Sequence, residues 1–76
     1  MSTPLQQGNT VSIVLNGEAR RIARGETISG LLLSLGLDPA RVAVELERVI
    51  VRAPEWGATQ VPEGANVEVV QFVGGG

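Results

Sequence analysis

The residues best suited to covalent chemistry in this chain are its last three, Gly74, Gly75 and Gly76, and they are suited by what they lack. A strand-like run over residues 67–73, Val-Glu-Val-Val-Gln-Phe-Val, stops where they begin. Glycine loses more backbone freedom on ordering than any other residue, so three in succession do nothing for a fold. They do make a thin tail. Extended, three residues reach roughly 10 Å beyond the strand, far enough to carry the terminal carboxylate of Gly76 into a narrow site on another protein. The chemistry open to such an end is acyl chemistry at that carboxylate. A frayed terminus fits the same residues, so the rest of the chain has to decide.

Composition removes most other chemistry. The 76 residues include no Cys and no His. No disulfide or thiolate metal site is available, and the usual zinc ligand and neutral-pH base are missing. Six Arg, no Lys and eight acids leave a formal charge of −2, which argues against nucleic acid as a partner, since phosphate binding needs a basic footprint. Trp56 and Phe72 are the only aromatic residues, too few for a base-stacking platform. No apolar run approaches the roughly 20 residues that span a membrane. The opening stretch lacks a basic segment followed by an apolar core, so a cytoplasmic location is expected.

The elements that would position the tail can be read in order. Residues 1–10 read as a flexible N-terminal extension, residues 11–73 as one domain and residues 74–76 as the tail. Val11, Ile13 and Leu15 alternate along a first strand. Asn16-Gly17 then makes a strong hairpin signal, because the tight turn needs positive φ at both positions. Residues 18–24 return as an edge strand, where Arg20 and Arg21 discourage pairing with other chains. Thr27 can cap a helix over residues 28–35. Ile28, Leu31, Leu32 and Leu35 form one stripe on it, expected to pack on Val11, Ile13 and Leu15. Gly36 and Pro39 stop it.

Val42, Val44 and Leu46 alternate, and Val49-Ile50-Val51 is a second apolar run. Glu47-Arg48 must turn between them. Neither residue favours positive φ, so the turn is either wider than two residues or strained. Residues 53–57 read as a compact loop or helical turn around Trp56, whose N–H should find a carbonyl. Residues 61–66 form a turn cluster. The last strand, residues 67–73, places Val67, Val69 and Val73 on one face and Val70 and Phe72 on the other.

This order of hairpin, helix, hairpin and final strand gives an α+β fold, a mixed sheet with one main helix packed across it. The first and last strands are expected side by side and parallel in the middle, the β-grasp arrangement of ubiquitin.

Several segments together resemble the ThiS family of sulfur carriers of the thiamine pathway: Val42-Ala43-Val44-Glu45-Leu46, Ile50-Val51, Glu55-Trp56, residues 62–70 and Phe72-Val73-Gly74-Gly75-Gly76. Asn16-Gly17-Glu18 and Gly25-Glu26-Thr27-Ile28 are similar to the same family. The chain departs from it at Glu47-Arg48, where an Asn-Gly-like turn is usual, and in its longer start. The resemblance implies a protein substrate rather than a catalyst, with no bound cofactor. A ThiF-like adenylating enzyme would use ATP and Mg²⁺ on the carboxylate of Gly76. A persulfide donor would leave a thiocarboxylate there, and thiazole synthase (ThiG) would take the sulfur. The residues agree: with no Cys, any sulfur the chain carries must sit on its terminus, and adenylation supplies the leaving group that a carboxylate lacks.

The resemblance further implies docking through the sheet face near the last strand. Val70 and Phe72 are the proposed contacts, with Arg52 and Glu68 as rim charges. Phe72 also fits a core position. Related readings are a MoaD-like carrier for molybdopterin synthesis, a ubiquitin-like protein modifier and an inert interaction module.

Overall fold

A computed structural model of the chain describes residues 8–73. Five strands form one sheet: β1 (Thr10–Leu15), β2 (Glu18–Ala23), β3 (Val42–Leu46), β4 (Val49–Val51) and β5 (Asn66–Gln71). Their spatial order is β2-β1-β5-β3-β4, so the last strand lies in the centre. β5 runs parallel to β1 and antiparallel to β3. The expected mixed β-grasp sheet is therefore present, with charged β2 on one edge.

Helix α1 (Ile28–Ser34) crosses one face of the sheet. Thr27 has extended backbone and its Oγ1 accepts from the Gly30 N–H at 3.1 Å, which satisfies an otherwise orphaned donor. The helix stops in a Schellman motif. Gly36 has φ of 73°, its N–H donates to the Leu33 carbonyl at 3.0 Å, and the Leu37 N–H donates to the Leu32 carbonyl at 3.1 Å. Leu35 is thus the cap of the helix rather than its last residue, and its side chain packs only partly against the core.

The core forms between α1 and the inner sheet face. Ile28, Leu31 and Leu32 meet Val11, Ile13, Leu15, Val44 and Val67, all buried. Trp56 closes one end from a 3₁₀ turn (Ala53–Ala58), and its indole N–H donates to the Val51 carbonyl at 2.7 Å. No charged side chain is buried among the described residues.

The β3–β4 turn has the strained form. Two residues suffice, and both take positive φ, 54° at Glu47 and 69° at Arg48. Neither is glycine, so the surroundings must hold them. Glu47 is held twice by Asn66: its N–H donates to the Asn66 carbonyl at 2.8 Å, and its carboxylate accepts from the Asn66 N–H at 2.7 Å.

β5 is shorter than residues 67–73. Its ladder to β3 runs out at the Phe72 N–H, which donates to the Arg41 carbonyl at 2.7 Å. Val73 lies beyond that last bond and is 90% exposed, so it does not join Val67 and Val69 against the core. β1 begins at Thr10, within the range read as the extension.

Candidate functional site

The site is built around β5, which leads into the tail. Gly74, Gly75 and Gly76 lie outside the described residues. The strand that carries them is fixed on both sides. On the β3 side the ladder registers Glu45 with Glu68, Ala43 with Val70 and Val42 with Gln71. On the β1 side the parallel ladder covers Val14–Asn66 and Leu15–Val67 only.

Asn16 then extends that side by one step. Its backbone φ of 51° turns the chain into the hairpin. Its backbone N–H donates to the Val67 carbonyl at 2.8 Å. Its side-chain amide bridges Val69, accepting from the N–H at 2.8 Å and donating to the carbonyl at 3.2 Å. An Asn amide carries the same donor and acceptor pair as a peptide group, so here it stands in for a missing strand residue.

Alternation along β5 divides its side chains. Val67 is buried under α1 and Val69 is half-buried on the same side. Glu68, Val70 and Phe72 point to the face the helix leaves open, with Val70 and Phe72 each 56% exposed. Ladder register adds Val14 from β1, Ala43 and Glu45 from β3 and Ile50 from β4 to that face. Ile50 is 68% exposed. Arg52, exposed, directly follows β4 and lies at the margin. The structure thus brings Glu68, Val70 and Phe72 together on one open face and leaves Arg52 at its edge. It adds Ile50, Val14 and Glu45, which pattern reading missed. Their alternation is visible in the sequence, but only the register assigns it to this face.

The face is an apolar patch with an acidic strip. Glu45 and Glu68 sit directly opposite each other on adjacent strands, and neither side chain forms an ion pair or hydrogen bond with a described residue. Like charges so placed repel. Val14, Ile50, Val70 and Phe72 thus leave apolar side chains exposed to solvent on this face. Among the described residues no group of three or more His, Cys, Asp or Glu side chains could hold a metal ion. No helix among them is long and apolar enough to cross a membrane.

A family model described as the ThiS family matches residues 13–76. The chain belongs to the ThiS family. Its fold agrees with a solved structure from Geobacter metallireducens, a thiamine biosynthesis protein (ThiS). The TM-score is 0.76, with 29% identity over 87% of this chain and all of that one. Thiazole synthase of Magnetococcus marinus is 42% identical over 66 residues, and that of Paramagnetospirillum magneticum 38%. In both cases this chain spans only a fifth of the relative's length, 20%. An uncharacterized protein of Pyropia yezoensis, ycf40, is 31% identical over 68 residues and matched across 96% of its length.

Proposed function

We propose that this ThiS-family chain is a sulfur carrier for thiazole formation in thiamine biosynthesis, with Gly76 as the residue that bears the sulfur. The observation that carries this reading is the family match itself, which reaches through β5 to Gly76. The two thiazole synthases that contain a segment like this chain support thiazole synthase as the acceptor.

The chemistry proceeds on the carrier's carboxylate and needs no side chain of the carrier. A ThiF-like partner enzyme holds ATP and Mg²⁺. The Gly76 carboxylate attacks the α-phosphorus, pyrophosphate leaves, and an acyl adenylate forms. The terminal sulfur of a donor's persulfide then attacks the acyl carbon and expels AMP. A thiol cleaves the resulting acyl disulfide, leaving a thiocarboxylate on Gly76 and a disulfide on the donor side. Splitting the exchange this way replaces one hard displacement by easier ones. The carrier contributes docking and reach: Val70 and Phe72, with Glu68 and Arg52 around them, form the contact surface, and Gly74 and Gly75 thread the tail.

The test is incubation of the chain with ATP, Mg²⁺, a ThiF-type enzyme and a persulfide donor, read by intact mass. The reading requires the mass increase for one oxygen replaced by sulfur, located on Gly76. An isopeptide ladder on other proteins indicates a modifier instead, and an unchanged mass removes the carrier reading.

A further inference from the structure

The backbone groups of β5 are used unevenly. Residues of a strand direct their N–H and C=O alternately to the two neighbours. The Glu47–Asn66 and Phe72–Arg41 bonds assign Asn66, Glu68, Val70 and Phe72 to the β3 side. Val67, Val69 and Gln71 therefore face the β1 side. Val67 bonds to the Asn16 backbone, and Val69 has both groups taken by the Asn16 side chain. Gln71 comes next. β1 has ended at Leu15, and the chain has turned away through Asn16 and Gly17. No described residue bonds the Gln71 N–H or C=O.

Beside this open edge lies a groove of about 250 Å³. Leu15, Leu35, Leu37 and Val69 give it apolar walls, and Asn16 and Gln71 give it a polar rim. Leu35 and Leu37 are there because of the helix stop: the Schellman turn at Gly36 brings Leu37 back under the end of α1.

We propose that the open edge of β5 at Gln71 is a strand-addition site. An extended segment of the enzyme that receives the tail pairs with the Gln71 backbone and sets one aliphatic side chain into the groove. An unpaired strand edge is a template for another backbone. Main-chain pairing with alternate side chains in pockets is a general mode of peptide recognition. The occupant follows from position. Gln71 lies five residues before Gly76, so the two are at most about 17 Å apart along an extended chain. An enzyme that holds the Gly76 carboxylate has its surface beside this edge. Pairing here also fixes the direction in which the tail leaves the sheet. The inference rests on the carrier reading above and adds the surface and type of contact, which differ from the open face bearing Val70 and Phe72.

The test exploits the unequal use of the two edges. Gln71→Pro removes the free N–H and leaves the β3 ladder bonds of Val70 and Phe72 in place, since proline is tolerated where a strand N–H has no ladder partner. Gln71→Ala keeps the N–H. Both are titrated calorimetrically against the ThiF-type adenylating enzyme, with thermal melts alongside. The proposal requires Gln71→Pro to weaken binding at least about tenfold, the scale of one lost hydrogen bond, with Gln71→Ala near wild type. If proline unfolds the domain, a synthetic chain carrying N-methyl-Gln71 replaces it. Amide exchange of Gln71 in the unmodified chain gives an independent reading: fast when free, slowed in the complex. Undiminished binding of the donor-less chain, or equally fast exchange in the complex, overturns the strand-addition site while leaving the carrier intact. Absence of any adenylation of the wild-type chain overturns both. Self-association of the wild-type chain, abolished by Gln71→Pro, assigns the edge to a second copy and overturns the proposed occupant.

Discussion

Replacing Asn16 separates two contributions that the structure combines in one residue. The side chain makes two hydrogen bonds to Val69, and the backbone sits at φ of 51°. Each bond contributes roughly 0.5–1.5 kcal/mol net, so the pair is worth about 1–3 kcal/mol. A non-glycine residue without a local polar group pays about 1–2 kcal/mol more in the left-handed region. Asn16→Gly should therefore cost about 1–3 kcal/mol and Asn16→Ala about 2–5 kcal/mol. A domain of 76 residues has a total stability of about 4–11 kcal/mol at typical per-residue values, so the alanine variant stands close to unfolding. Urea titration gives both numbers, with the fluorescence of Trp56, the single tryptophan, as the signal. If both variants lie within about 0.5 kcal/mol of wild type, the amide does not hold β5. If glycine and alanine cost the same, the strained φ contributes nothing.

Leu32 is 1% exposed between α1 and the sheet, so Leu32→Ala should cost about 2–5 kcal/mol; an unchanged melting temperature refutes the packing of the stripe. Glu68→Arg turns the repulsion with Glu45 into attraction and should stabilise by roughly 0.2–1 kcal/mol. That gain should shrink with added salt, and a loss of stability in melts contradicts the register. Phe72→Ala, at a half-open position, should lower affinity for the adenylating enzyme more than it lowers stability; the reverse pattern makes Phe72 a structural residue. Appending one alanine after Gly76 moves the carboxylate by about 3.5 Å, and deleting Gly76 shortens the reach by as much. Both should cut ATP–pyrophosphate exchange sharply, since a 1 Å misplacement can cost about 10²-fold. Both should leave stability within about 0.5 kcal/mol, and wild-type exchange rates in both variants refute the role of the tail.

The fold was legible where one residue type has one physical use. Asn16-Gly17, Thr27, Gly36 and the stripe of Ile28, Leu31 and Leu32 each specify a local geometry, and each takes it. The Glu47-Arg48 turn was legible only as a conflict. Its resolution depends on Asn66, distant in sequence, whose two bonds to Glu47 hold the strain. The end of β5 was overextended because Val73 continues the pattern, whereas its neighbouring strand supplies no bond past Arg41. Register explains most of the rest. Val70 and Phe72 could be assigned to one face by alternation, but that Ile50, Val14 and Glu45 share it is a long-range fact. The open backbone at Gln71 left no trace in the sequence, since it is a property of where β1 stops.

The central position of β5 also bears on how the protein is made. A chain emerging from the ribosome presents β1, β2, α1, β3 and β4 before the strand that must lie among them. Until β5 arrives, β1 and β3 have no common neighbour, and the inner face lacks Val67, one of its fully buried residues. Contacts between segments so far apart in sequence form late, because closing the intervening loop costs entropy first. A product truncated before β5 cannot complete the sheet. The strand that leads toward Gly76 is thus also the one that completes the sheet.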